Sequence, residues 1–278
     1  MSYYTALGLT KEPFSTSPDP AFFFRSTSHV QALTRLEIAI RLRRGLSLIL
    51  GDVGTGKTTL ARTLLANFPQ EEGFVFHMIL DPSFESEYQF LLHLARMVGI
   101  RSVVKSTLDC REALESHLFQ SGVNEQKTTV LLIDEGQKLS LDILENLRVL
   151  LNYETNEFKL LQVVIFAQME LLGRIRRIKN FIDRVALKYI INPLSGEETA
   201  QLIQFRLDSA GLSGSEVLFL PEAMTAIHRF TQGYPRKISL LCHNALEALV
   251  MHDQHVVDAA LIEGLIRDES RWVHEPAA

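Results

Sequence analysis

The run Ser47-Leu48-Ile49-Leu50-Gly51-Asp52-Val53-Gly54-Thr55-Gly56-Lys57-Thr58-Thr59-Leu60 constrains this chain more than any other. Its centre reads G-x-x-x-x-G-K-T, with an apolar strand-like stretch before it and a helix-like stretch after it. That context turns a word match into a physical site. Glycines let the backbone curl closely around phosphate oxygens, because a Cβ would obstruct the turn or the ligand. The loop N–H groups and the following helix N-terminus then point at the anion. Gly51, Asp52, Val53, Gly54, Thr55, Gly56, Lys57, Thr58 and Thr59 are therefore the expected nucleotide-binding residues. Lys57 brings positive charge to the β- and γ-phosphates, and the Thr58 hydroxyl is suited to ligate Mg²⁺.

A second half of this site is expected at Val130-Leu131-Leu132-Ile133-Asp134-Glu135. A short, uniformly apolar run reads as a strand buried on both faces of a parallel sheet. Two carboxylates follow at its C-terminal end, where ligands sit in open α/β sheets. Asp134 is suited to hold Mg²⁺, directly or through water. Glu135 is suited to orient and deprotonate the water that attacks a γ-phosphate. An acidic turn after a strand is the bland alternative, and hydrophobic-Asp-Glu alone is weak; beside the G-x-x-x-x-G-K-T loop it is strong. The two halves together predict an ATPase working on ATP and releasing ADP.

Bulk composition adds limits. At 278 residues the chain can hold one large domain or two smaller ones. A formal charge of −5 gives no global electrostatic reason to bind DNA or an anionic membrane, though it leaves room for a local basic face. Cys110 and Cys242 lie far apart with no C-x-x-C partner, which reads as two buried reduced thiols. The nine histidines show no metal-ligand spacing. The N-terminus lacks the features of a signal peptide, and no apolar stretch approaches the ~20 residues of a membrane span. A cytoplasmic protein with no direct membrane span is expected.

Tyr3 to Ser28 is rich in aromatics and prolines and reads as an irregular strap packed on the core, with Phe22–Phe24 as packing. Ser28 is placed to cap a helix from His29 to about Arg44, whose Arg41, Arg43 and Arg44 read as an exposed end or a DNA-facing patch. Strands are expected at Leu46–Leu50, Phe74–Leu80, Val130–Ile133, Leu161–Ala167 and Ala186–Ile191. Helical patterns lie between them, at Thr58–Phe68, Glu87–Val98, Asp109–Phe119, Leu141–Tyr153 and Met169–Phe181. Such alternation argues for a parallel sheet covered on both faces. After Pro193 the pattern is all helical, opening with the capping box Ser195-Gly196-Glu197-Glu198. Gly211 and Gly214 end that helix, and Pro221–Gln232, Pro235–His252 and Val257–Asp268 come after it. The expected division is a strap and ATPase domain at 1–192, a helical lid at 193–270 and a fraying tail at 271–278.

More selective patterns surround the loop. Tyr4-x-x-Leu7-Gly8-Leu9-x-x-x-Pro13-Phe14, Pro18-Asp19-Pro20 and His29-x-x-Ala32-Leu33 precede it; Asp134-Glu135-x-Gln137, Leu147-Arg148-x-Leu150-Leu151-Asn152, Gln162 to Gln168 and Gly233-Tyr234-Pro235-Arg236 lie downstream. Together they resemble the ExeA/GspA and MshM-type ATPases within the AAA+ class across nearly the whole chain. More distantly, the layout is similar to TnsC-type transposition regulators and origin-recognition initiator ATPases. This resemblance implies an α/β fold with a five-stranded parallel sheet of order 5-1-4-3-2, helices on both faces and a small C-terminal helical lid. It implies Gln168 as a polar sensor after the fourth strand and Arg236 as a second sensor on the lid. It also implies Arg184 as a finger reaching a neighbouring subunit's γ-phosphate, with Arg176 and Arg177 competing for that role. The cluster Arg174, Arg176, Arg177, Lys179 reads equally as a solvated helix face.

A finger of that kind implies a homo-oligomer, ring or filament. The resemblance gives it the task of assembling or remodelling an unidentified protein partner, as in secretion or pilus biogenesis. Membrane-linked relatives of this kind carry a transmembrane segment and a peptidoglycan-binding region after the ATPase part, whereas this chain ends just after the lid. The alternative is an ATP-dependent DNA-binding regulator of transposition that recruits an effector. A nucleotide-binding scaffold without turnover is a third reading, against which Lys57, Thr58, Asp134 and Glu135 argue.

Overall fold

The computed structural model describes residues 2–17, 19–68, 73–101, 105–212 and 217–274. Contacts divide the chain into two units. One comprises Thr27–Val53 with Lys57–Ile191; the other comprises Met1–Ser26, Gly54–Gly56 and Asn192–Ala278.

The first unit is built on five parallel strands: β1 (Leu46–Leu50), β2 (Phe74–Ile79), β3 (Thr128–Ile133), β4 (Leu161–Ala167) and β5 (Val185–Ile190). Their order is β2-β3-β4-β1-β5, the expected order read from the other edge. Every residue of the three inner strands β1, β3 and β4 is buried, while β5 alternates between half-buried and exposed as an edge strand does. Gln162 interrupts the apolar run of β4 without breaking it. Its amide oxygen accepts the Gly45 N–H at 2.7 Å and its amide nitrogen donates to Lys159 O at 2.8 Å, so both halves are satisfied although the residue is 1% exposed.

Helices cover both faces. α2 (Thr27–Arg41) and α3 (Lys57–Asn67) pack against each other, and between them they touch β1, β4 and β5. On the opposite face the side chains of Leu48, Leu131, Ile133, Val163 and Ile165 share a core with α4 (Glu87–Met97), α5 (Thr107–Phe119) and α6 (Leu141–Leu150). Alternation along a strand supplies the two faces. Parallel register then brings the C-terminal ends of β1, β3 and β4 to one edge, with Leu48 opposite Ile165 and Leu132 opposite Val164.

Local departures from the sequence reading have physical causes. α2 begins at Thr27, so Ser28 lies inside the helix with a buried hydroxyl and caps nothing. The helix ends at Arg41, and Arg43 adopts a left-handed φ of 48°. Arg41 and Arg44 are exposed, as expected of a helix end; Arg41 lies 4.9 Å from the Phe68 ring centre, and Arg43 lies 4.3 Å from that of Phe158 while donating to Gln126 O at 3.2 Å. The long helix expected over Met169–Phe181 is replaced by the short α7 (Leu171–Ile175) and, after a left-handed Asn180, a 3₁₀ turn at Ile182–Arg184.

The second unit contains α8 (Gly196–Ser209), α9 (Pro221–Thr231), α10 (Pro235–Met251) and α11 (Ala259–His274), together with the N-terminal strap and its short α1 (Tyr3–Ala6). The capping box forms in full: Ser195 Oγ accepts the Glu198 N–H at 3.1 Å, and Glu198 accepts the Ser195 N–H at 3.1 Å. The strap packs with these helices, which corrects its grouping with the sheet. Leu9 and Phe14 belong to the same core as Ile203, Leu207, Phe219 and Ile238. Thr10 Oγ1 donates to Ala210 O at 2.8 Å, and Arg206 Nη1 donates to Ser15 O at 3.0 Å. Phe14 meets Phe219 edge-on at 5.9 Å. The aromatic anchors fill gaps between helices, which is why a segment so poor in regular structure holds one path. α11 runs to His274, past the Asp268 expected as its end; residues 275–278 and Gly214 lie outside the described residues.

Candidate nucleotide-binding site

Three chain segments leave the C-terminal edge of the sheet beside one another: the loop after β1, the turn after β3 and the turn after β4. In the first, Gly54 and Gly56 take φ values of 82° and 92°, which L side chains rarely adopt. α3 starts at Lys57. The Lys57 side chain is buried at 7% exposure, and its Nζ donates to Gly51 O and Asp52 O, both at 2.8 Å. Burial lowers its pKa, while the carboxylates of Asp134, Glu135 and Asp52 act in the opposite sense. A desolvated ammonium held by two neutral carbonyls is poised to take an anionic partner.

Thr58 and Asp134 meet across the two halves of the motif: Thr58 Oγ1 donates to Asp134 Oδ2 at 2.6 Å. Asp134 is 3% exposed, and its backbone N–H donates to Ile79 O at 2.8 Å. Its other carboxylate oxygen accepts the Glu135 N–H at 2.9 Å. Glu135 itself takes a left-handed backbone, φ 51° and ψ 35°. That kink turns the chain sharply at the end of β3. The Glu135 carboxylate accepts from Gln137 Nε2 at 2.6 Å.

A bare hydroxyl and a carboxylate oxygen in contact at a phosphate-type loop form an oxygen donor set of the kind Mg²⁺ takes. The residues present therefore fit an Mg–nucleotide complex. Among the described residues no group of three or more His, Cys, Asp and Glu could hold a metal by themselves.

The remaining expected residues separate. Gln168, half-buried, comes to the same edge after β4, but it is its backbone N–H that donates to Gln137 Oε1, at 3.1 Å. Arg184 ends the 3₁₀ turn before β5 and is half-buried, and its Nε has no hydrogen-bond partner among the described residues. Arg176 and Arg177 are exposed. Arg174, one member of the expected solvated face, instead donates to Leu139 O at 2.8 Å. In the other unit, Arg236 is exposed in the first turn of α10, and its N–H donates to Gly54 O at 3.2 Å. A Cβ at Gly54 would come to 3.0 Å from Arg236 Cβ.

Two residues had no role in the sequence reading. Gln137 entered only as part of a resemblance, two positions past Glu135. Gly136 carried no signal, yet a Cβ there would lie 2.3 Å from Ile165 Cγ2. The turn after β3 is pressed onto β4, and only glycine permits that approach.

Residues 40–175 match the family described as AAA domain. Over 97% of its length the chain is 34% identical to general secretion pathway protein A of Aeromonas hydrophila. It spans about half of that relative, 50% of its length. Among solved structures, the Cdc6p protein of Pyrobaculum aerophilum superposes with a TM-score of 0.68 at 18% identity, covering 88% of this chain and 67% of that one. The ORC2 protein of Aeropyrum pernix, solved in ADPNP–ADP complexes, gives a TM-score of 0.67 at 16% identity, covering 93% and 71%. At such identities the structural likenesses establish the fold. No helix among the described residues is long and apolar enough to cross a membrane.

Proposed function

Because the chain carries an AAA domain at residues 40–175 on the fold of the P-loop AAA+ ATPases, we propose that it is a cytoplasmic, Mg²⁺-dependent ATPase that assembles with copies of itself and acts on a protein partner in secretion-type machinery. One observation carries the hydrolytic part: Thr58 and Asp134 in contact at 2.6 Å, with the Glu135 carboxylate next in the chain and bonded to Gln137 instead. The secretion part rests on the relative in Aeromonas hydrophila and on nothing in the site itself.

Each residue then has a task. Lys57 exchanges its two carbonyls for β- and γ-phosphate oxygens, with the loop N–H groups alongside. Thr58 and Asp134 would hold Mg²⁺, which would supply charge neutralisation to the phosphates. Glu135 accepts a proton from the attacking water as the water oxygen bonds to the γ-phosphorus. The bond to the β-γ bridging oxygen breaks, and ADP and phosphate result. Gln168 and Arg236 are assigned to sensing the γ-phosphate. Arg184, in the turn before the edge strand β5, is assigned to a neighbouring subunit's site on the resemblance alone.

ATPase rate and oligomeric state, measured together against protein concentration with and without duplex DNA, test the whole. Specific activity rising with assembly and indifferent to DNA is expected. R184A and E135Q should each be inactive alone and regain activity when mixed, because the mixture contains sites with both a base and a finger. Activity independent of concentration, with R184A unimpaired, would remove the trans arrangement. A requirement for DNA would replace the protein partner with nucleic acid.

A further inference from the structure

The amide of Gln137 sits between two groups with opposite demands. Its Nε2 donates to Glu135 Oε2 at 2.6 Å, and its Oε1 accepts the Gln168 N–H at 3.1 Å. The two bonds fix each other. Rotating the amide by half a turn would set its oxygen against a carboxylate and its NH₂ against an N–H, two repulsions in place of two bonds. The acceptor and donor on either side leave one orientation.

The backbone carrying Gln137 is held as firmly. It lies in the 3₁₀ turn Gly136–Lys138. Gly136 is seated against Ile165 and Ala167 of β4, close enough that a Cβ would meet Ala167 Cβ at 3.2 Å. On the far side Leu139 is fully buried, and Lys138 Nζ pairs with Asp81 at 3.1 Å. Gln137 therefore has little freedom to follow Glu135; Glu135 must follow Gln137. One lone pair of Oε2 is taken by this bond, and the carboxylate keeps further lone pairs with which to accept from a water.

We propose that Gln137 is a positioning residue: it sets the heading of the Glu135 carboxylate and ties that heading to the segment after β4 through the Gln168 backbone. This rests on the reading of Glu135 as the general base and deepens it. It also gives the segment at Gln168 a route to the reaction that needs no side-chain contact with phosphate. A shift of that backbone moves the amide, and the amide moves the base.

A general base aimed a few tenths of an ångström off loses rate without losing substrate, because it acts only in the transition state. Gln137→Leu keeps the volume and removes both bonds. The expected result, at protein concentrations that saturate assembly, is a kcat lowered by about tenfold or more with KM for ATP within about twofold. ADP binding and thermal midpoint serve as controls for a folded site. The decisive readout is a double-mutant cycle with Glu135→Asp, whose carboxylate is retracted by one methylene beyond reach of Gln137. On that background Gln137→Leu should add almost no further loss, since its effect passes through Glu135. Gln137→Asn, which keeps an amide but retracts it, should behave as Gln137→Leu does.

An unchanged kcat in Gln137→Leu, or a loss that repeats in full on the Glu135→Asp background, would overturn the positioning role. Should Gln137→Leu fail to fold, Gln137→Asn carries the same cycle. Glu135→Gln separates this failure from that of the base assignment. If Glu135→Gln keeps full turnover, the base reading falls and the positioning role with it. If Glu135→Gln is inactive while Gln137→Leu is not, only the positioning role falls.

Discussion

Thr58 Oγ1 donates a 2.6 Å hydrogen bond to Asp134 Oδ2, joining the first turn of α3 to the end of β3 through atoms 76 residues apart in sequence. These two side chains are the oxygen donors that would hold Mg²⁺. Thr58→Ser keeps the hydroxyl and should keep turnover within a few-fold. Thr58→Ala should lower turnover by at least about tenfold and raise the Mg²⁺ concentration needed for half-maximal rate. It should also destabilise the nucleotide-free fold by about 1–3 kcal/mol, because a carboxylate 3% exposed loses a donor. Chemical denaturation and an Mg²⁺ titration of the ATPase rate check both parts.

Lys57 is held charged in a poorly solvated place by two carbonyls, at a cost that an anionic ligand relieves. Nucleotide should therefore stabilise the wild-type fold strongly. At a hundredfold excess over Kd the gain is about 2.7 kcal/mol, which corresponds to a rise of several degrees in thermal midpoint. In Lys57→Ala that rise should vanish along with measurable ATP binding by calorimetry. A variant that still binds ATP would contradict the assignment of the loop.

Much of this was legible because its causes are local. The apolar runs of β1 and β4 are bounded where they were expected, since fully buried strands admit few polar positions and Gln162 satisfied itself within three residues and a neighbouring strand end. Ser195 and Glu198 announce α8 by a reciprocal bond that needs no tertiary partner. What stayed hidden depends on residues distant in sequence. The strap's companions are set by Phe14 finding Phe219, 205 residues on, and hydrophobicity alone does not name a partner. The stretch from Met169 has helical periodicity, but Arg174 turns back to Leu139 O and a left-handed Asn180 ends the path. Glu135 was legible as a carboxylate at a strand end, but its left-handed backbone and its bond to Gln137 had no local signature.

Gly136 carries a cost that can be measured. A Cβ there would lie 2.3 Å from Ile165 Cγ2 and 3.2 Å from Phe166 O, so β4 or the turn must move. Gly136→Ala should destabilise the sheet unit by about 2 kcal/mol or more, at the upper end of overpacking in a dense core. Turnover should fall further than stability alone explains, since the same shift displaces Glu135 and Gln137. Denaturant midpoints compared with single-turnover rates separate the two effects. A variant with native stability would mean that the turn is not pressed on β4.

Gly233 and Gln232 form an internal contrast in the helical unit, because both have positive φ, 76° and 53°, yet their surroundings differ. At Gly233 an added Cβ would meet Leu194 O at 2.0 Å and Leu194 N at 2.9 Å, where the Leu194 N–H already donates to Gly233 O at 2.9 Å. Backbone cannot retreat as a flexible side chain can, so Gly233→Ala combines left-handed strain with a clash that breaks this bond. A loss of about 3 kcal/mol or more is expected. Gln232 carries a side chain at nearly the same φ and uses it, donating Nε2 to Arg229 O at 2.6 Å. Removing that side chain trades one exposed hydrogen bond for relief of strain, so Gln232→Gly should stay within about 1 kcal/mol of wild type. Urea unfolding of the two variants side by side reads the difference. Equal effects at the two positions would show that φ alone dictates the glycine before α10, whereas a large asymmetry assigns it to the close approach of Leu194.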